Sequence, residues 1–347
     1  MHMENFADIG RVEAIQSLFK GTGFKPFAGA GFEPSARGSV VNAARMFTEG
    51  VDFDLVYFPL KHLGYKCVTA VTGELLAALA TPRSLAVRIA VSAKLDLPQV
   101  RELWQGVVTA AKEHGYSSLD LDLLPSRNGL LVSLSAAGEL PKLTASRRPA
   151  PQSKDLLCLS GSVGGAYFGI RVLDREKKAL APDTPVAGQD GTAIATPSPT
   201  LERYRMMVGS YLKPEISPYV VPQMIEDEMV PSAGVLVDRG LADAVKRIAR
   251  ATGLGAKVYA DRIPFEGQSF DLGKALDVDP ISAAMNGGED YRLLFTIPIL
   301  KAEQFRRDFQ TFEIIGHLAL PEAGTSLVSP DGLEHPLRAQ GWPDESV

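Results

Sequence analysis

Cysteine is nearly absent: 347 residues carry two, Cys67 and Cys158, with no CxxC spacing. That excludes a disulfide scaffold and removes any cysteine-based metal or redox motif. Both read as small buried residues of a reduced, cytoplasmic protein. Histidine is scarce too, and the five present (His2, His62, His114, His317, His335) show no metal-ligand spacing. Basic charge is not in excess: 36 Lys and Arg face 41 Asp and Glu, a net of -5, so no nucleic-acid partner is expected. No apolar run approaches the length of a membrane span, and no charged-then-apolar leader marks a secreted chain. The phosphate loop G-x-x-x-x-G-K-[ST] and the G-x-S-x-G elbow are both missing.

What is there is an ordinary globular composition, 45% hydrophobic, long enough for a sizeable core and for two domains. Helical spacing of Val12, Ile15, Leu18 and Phe19 predicts a first helix over about residues 10–20. Residues 24–42 read as a loop with a short strand near Ser39 to Val41. A mostly apolar helix is expected from Pro59 to Ala80, and alternation from Ala86 to Ala93 predicts a strand. Pro98 opens a helix with the stripe Val100, Leu103, Trp104, Val107 and Ala111, closed by Gly115. Leu130 to Ala137 is a further strand. The polar, proline-rich stretch 141–154 is the expected boundary between domains at 1–148 and 149–347. Beyond it, Asp155 to Ser160 reads as a buried strand, and Gly161 to Gly165 as a turn into a helix ending near Lys178. The Pro- and Gly-rich stretch 181–199 is a surface loop or a lid. Helices at about 200–212 and 240–252 and strands near 256–260, 291–297 and 312–318 complete the expected α/β pattern.

Two glycine-rich segments stand out. Gly161 to Gly165 lies between strand and helix, where backbone N–H groups can face an anion, although the spacing of a dinucleotide fingerprint is not met. Asn286-Gly287-Gly288-Glu289-Asp290-Tyr291 places two glycines beside two carboxylates just before a strand. An acidic turn and a ligand-holding loop both fit that pattern.

In their order along the chain, several segments resemble the thiamine-monophosphate kinase family, in the superfamily of aminoimidazole ribonucleotide synthetase and selenophosphate synthetase. They are Glu49 to Asp54, Leu63-Gly64-Tyr65-Lys66, Ala80-Thr81-Pro82, Ser160-Gly161 with the glycines after it, Leu212-Lys213-Pro214, Asn286 to Tyr291 and Ala339-Gln340-Gly341-Trp342. The resemblance implies a two-domain aminoimidazole ribonucleotide synthetase-like α/β fold, with N-terminal sheets pairing into a barrel across a homodimer. It implies ATP and Mg²⁺ as cofactors, and transfer of the γ-phosphoryl of ATP to thiamine monophosphate. Such a transfer rests on divalent metals and on carboxylates to hold them.

Carried over residue by residue, that metal site is eroded. The family's Gly-x-Gly-Asp-Asp falls on Gly29-Ala30-Gly31-Phe32-Glu33, and its Ser-Thr-Asp on Ala43-Ala44-Arg45. Its Asn-Leu-Ser-Asp falls on Val71-Thr72-Gly73-Glu74, and its Gly-Gly-Asp-Thr loop on Asp120-Leu121-Asp122-Leu123. Its Asp-x-Ser-Asp-Gly-Leu falls on Leu236-Val237-Asp238-Arg239-Gly240-Leu241. Arg45 and Arg239 thus take former acid positions. A guanidinium about 5 Å from a divalent cation is repelled by roughly 6–7 kcal/mol at an effective dielectric of about 20.

The resemblance leaves Glu33, Glu74, Asp122 and Asp238 as metal candidates, and Gly29, Gly31, Arg45 and Arg239 as nucleotide or phosphate candidates. Glu289, Asp290 and Trp342 are the substrate candidates. Trp342 falls where the family has an aromatic near the thiamine rings, or packs on the domain core. A member that is catalytically impaired and binds at most a small phosphorylated ligand is expected. The alternatives are a working phosphotransferase with a rebuilt metal site and a non-enzymatic scaffold.

Overall fold

The computed structural model describes residues 40–179 and 199–342. Gly29, Gly31 and Glu33, the first expected helix and nearly all of the 181–199 stretch lie outside the described residues.

The first half comprises β1 (Val40–Thr48), α1 (Leu60–Ala77), β2 (Thr81–Ser92), α2 (Leu97–Glu113), β3 (Ser118–Ser126), β4 (Leu131–Glu139) and the short α3 (Lys142–Arg147). Its strands form one sheet in the order β1-β4-β2-β3. β4 runs antiparallel to β1 and β2, while β2 and β3 are parallel. β1 and β4 alternate buried and exposed positions, so one face of the sheet carries the core.

The second half comprises β5 (Leu156–Ser160), α4 (Gly165–Ala179), α5 (Pro199–Arg203), α6 (Arg205–Leu212), α7 (Val220–Glu226), β6 (Ala233–Val237), α8 (Leu241–Thr252), β7 (Gly255–Tyr259), α9 (Ser269–Leu276), α10 (Pro280–Asn286), β8 (Arg292–Ile297), α11 (Ala302–Asp308), β9 (Phe312–Ala319), β10 (Thr325–Val328) and β11 (Glu334–Pro336). Seven of these strands make a mixed sheet in the order β11-β10-β7-β9-β5-β8-β6.

Helix α1 joins the two layers. It packs against β1 and β4 on one side and β6 and β8 on the other, and almost all of its residues are buried. A helix apolar all round belongs inside a core. One hydrophobic cluster therefore runs from Phe47, Leu63 and Val87 through Leu75 to Leu236, Leu293 and Phe295. Local chemistry sets the helix ends near the site. Asp96 and Gln99 cap α2 reciprocally, and Gly253 closes α8 in the left-handed region.

Two expectations change. Asp120 to Leu123, carried over as a glycine loop, lies inside strand β3, because the Leu/Asp alternation suits a pleated edge and no glycine breaks it. The expected helix at 200–212 is two helices that break at Tyr204. The 141–154 stretch contains α3, and Arg148 donates to the Pro231 and Ala78 carbonyls.

Candidate functional site

The site is built where β6 ends and α8 begins, against the Asn286–Tyr291 loop and the N-terminal sheet. Gly240 has φ +95, and a Cβ there would sit 2.3 Å from the Met285 carbonyl oxygen. Gly288 has φ +76, and its Cβ would meet the Asp238 carbonyl oxygen at 3.1 Å. Both segments need glycine to lie this close. The Glu289 N–H donates to the Asp238 carbonyl, 2.8 Å, and ties them together.

Asp238 is buried, and cations surround it. One carboxylate oxygen accepts from Arg45, 2.9 Å, and has the Arg239 Nε at 3.5 Å. The other accepts from Arg247, 2.8 Å. Burial pushes against its charge, but Arg247, Arg45 and Arg239 outweigh it and hold the carboxyl below the usual range. Arg247 in turn donates to Asp243, 2.9 Å, and to the Leu236 carbonyl, and stands 3.7 Å from Glu74. Burial opposes the charge on Arg247 too; Asp238, Glu74 and Asp243 reverse that and raise its pKa.

Beside this network Lys66 is fully buried on α1. It pairs with Glu289 at 2.6 Å and lies 3.7 Å from the centroid of the Tyr211 ring. Burial lowers its pKa and Glu289 works the other way. Arg45 stacks 5.1 Å over Phe47 and 5.5 Å over Tyr291. The Tyr291 hydroxyl is buried without a hydrogen-bond partner in the structure. Glu289 and Tyr291 both take positive φ, 63° and 48°, so this loop is strained.

The structure gathers some of the sequence candidates and scatters others. Glu74, Asp238, Arg45 and Arg239 converge, and Glu289 borders them through Lys66. Asp122 does not join them: it lies on the exposed outer face of β3, in register with Arg88. Asp290 caps α4, accepting from the Gly164 and Ala166 N–H groups at 2.8 and 3.1 Å. Trp342 donates its indole N–H to Asp243, 2.8 Å, and Arg250 stacks 4.1 Å over its ring. Sequence reasoning gave no role to Arg247, Asp243 or Lys66. The Asp243/Arg247 pair at i, i+4 on an amphipathic helix and the charge of Lys66 amid the apolar residues of α1 were the available signals.

The donors among the described residues do not fit a divalent metal. Among the described residues no group of three or more His, Cys, Asp or Glu side chains is arranged to hold one. Glu74 and Asp238 meet across a guanidinium, and the network is formally balanced: Arg45, Arg239 and Arg247 face Glu74, Asp238 and Asp243.

No family model matches the chain. Thiamine-monophosphate kinase of Synechococcus elongatus is 26% identical over 268 residues, covering 76% of this chain and 74% of that protein. Thiamine-monophosphate kinase of Methanopyrus kandleri is 23% identical over 242 residues, covering 69% and 67%. The chain is thus similar to the thiamine-monophosphate kinases over about 70% of its length, at 21–26% identity. Its fold agrees: a solved structure of AaThiL complexed with AMPPCP and TMP superposes with a TM-score of 0.77 at 18% identity, covering 99% of both chains. The hydrogenase maturation protein HypE in complex with ATP superposes with a TM-score of 0.61 at 17% identity.

Proposed function

We propose that this protein keeps the scaffold of the thiamine-monophosphate kinases without their metal-dependent phosphoryl transfer. One observation carries the reading: Asp238, a candidate metal ligand that stands on the family's serine between two lost aspartates, is neutralised by Arg45 and Arg247 at 2.9 and 2.8 Å. A divalent cation brought to that carboxylate meets two guanidinium groups already bonded to it, and the repulsion at such distances is several kcal/mol. A binding role for a phosphorylated ligand is compatible with the exposed side of Arg239. The ATP analogue and TMP in the AaThiL complex name the ligand classes to try first. We further propose a cytoplasmic homodimer. Its localisation rests on the composition, and no helix of the described residues is long and apolar enough to cross a membrane.

The test is thiamine diphosphate formation from ATP, Mg²⁺ and thiamine monophosphate, read as thiochrome fluorescence beside a family member that carries all its aspartates. The expected result is no product above background from folded protein. Sustained turnover in the range of the control overturns the reading.

A further inference from the structure

We infer that Arg247 is a resident cation, its guanidinium filling an acidic cradle where α1 meets the second sheet, and that this cradle is shaped for a guanidinium and not for a divalent metal. The inference deepens the reading above, but its tests measure stability and binding, so the two stand or fall separately.

The cradle draws on both halves of the chain. Glu74 comes from α1, Asp238 from the end of β6 and Asp243 from the first turn of α8. Each carboxylate meets a different nitrogen of Arg247: Asp243 at Nε, Asp238 at one terminal nitrogen and Glu74 at the other. The nitrogen that meets Asp238 also donates to the Leu236 carbonyl. The acceptors are thus arrayed around a flat three-pronged ion. A magnesium or calcium ion asks instead for oxygens all about 2.0–2.6 Å from one point. Asp238 and Asp243 are held in place from outside the cradle, by Arg45 and by the Trp342 indole N–H respectively. The Arg247 side chain is only 11% exposed, so water replaces its contacts poorly. A charge fixed by the chain needs no free metal, so the two layers are joined whatever the divalent-ion concentration.

The experiment removes the side chain and offers the cradle free ions. Arg247→Ala is expected to lower the Tm by roughly 5–10 °C, since three buried or half-buried carboxylates lose a partner. Guanidinium chloride in the low tens of millimolar is then expected to raise the Tm of the variant above its value in equal sodium chloride. The wild type gains nothing under the same conditions. Millimolar Mg²⁺ or Mn²⁺ leaves both proteins unchanged. An unaltered Tm for the variant overturns the inference, as does rescue by Mg²⁺ equal to that by guanidinium. Arg247→Lys covers the case in which the alanine variant does not fold. Lysine keeps the charge but loses the fork, so a clear loss of Tm is expected. A lysine variant as stable as the wild type means that charge alone suffices, which also overturns it. Thiamine diphosphate formation by the wild type ends the functional reading and leaves this one standing.

Discussion

Asp290 shows how one residue's burial becomes a pH dependence. Its carboxylate is buried, which pushes its pKa up to about 6 even though the Gly164 and Ala166 N–H groups pull it down. In the unfolded chain an aspartate titrates near 3.9. The folded protein therefore binds a proton that the unfolded chain does not between those values. The stability linked to Asp290 is fully present below the unfolded pKa and is lost as pH rises through the folded one. Asp238 is opposite in sign. Its pKa is depressed, so its contribution survives to about pH 4 and fails only in stronger acid. Buried His114 is held below its usual pKa by desolvation and loses stability as pH falls. That background is common to the wild type and an Asp290→Asn variant, so their difference isolates Asp290. Urea unfolding at pH 7.5, 6 and 5 is expected to shift that difference by about 1–1.5 kcal/mol in favour of the wild type as pH falls. A difference that stays flat with pH rules the linkage out. At this scale the sequence made Asp238, Arg45 and Arg239 legible, because family motifs mark their positions. Arg247 was not legible. Its acidic partners lie at 74, 238 and 243, and only the docking of α1 on the second sheet puts the first of them beside the others.

Helices α1 and α2 touch through their backbones. A Cβ on Gly64 would lie 2.1 Å from the Leu103 carbonyl oxygen, and one on Gly106 would lie 1.9 Å from that of Lys61. These obstacles are main-chain atoms, so relief requires the helices to separate. Separation disturbs α1, which carries both Lys66 and Glu74 to the site. Gly106→Ala is expected to cost about 1–3 kcal/mol. Gly209, within α6, has nothing near its missing Cβ. Gly209→Ala is expected to stabilise by about 0.5–1 kcal/mol through helix propensity alone. Paired thermal melts check both, and the idea fails if the two variants shift in the same direction. Element by element, α1 showed as a long, mostly apolar run and β4 as a further strand, while periodicity revealed α2, β2 and α8, whose apolar positions repeat at helical or strand spacing. It missed β6, a five-residue run, Ala233–Val237, whose last four residues are all buried. A strand covered on both sides has no alternation to read. It also missed the short helices α7, α9, α10 and α11, each eight residues or fewer. A period of 3.6 is sampled barely twice in such lengths.

For the whole molecule, strands β1, β4 and β2 of the first sheet turn one face to the core and one to solvent, while β3 is exposed on both. The outer face is made of Asn42, Ala44 and Met46 of β1, Leu131, Ser133, Ser135 and Ala137 of β4, Ala86, Arg88 and Ala90 of β2, and Asp120, Asp122 and Leu124 of β3. Met46 is 56% and Leu124 54% exposed. Apart from Arg88 and Leu131 the side chains on the two middle strands are small, and Met46 and Leu124 stand on the outer strands, a surface that suits packing against a second sheet. The one ion pair within this face, Arg88 with Asp120, lies towards the β3 edge. The homodimer proposed above covers this surface with the same residues on both sides, as a twofold interface requires. Sedimentation equilibrium is therefore expected to give twice the chain mass of 37.3 kDa. Ala90→Arg puts a long charged group on an inner strand of that face, beside Leu131 of β4 and Leu124 of β3, and is expected to give a folded monomer. A wild type that sediments as a monomer at micromolar concentration removes the dimer. A variant that remains dimeric moves the interface to another surface. The site around Asp238 lies on the opposite, core side of the same sheet, where Arg45 enters from β1 between the outward-facing Ala44 and Met46. Loosening the outer face is thus expected to reach Arg45 through the strand that carries both, and the Ala90→Arg monomer should melt below the wild-type dimer by more than the loss of subunit association accounts for.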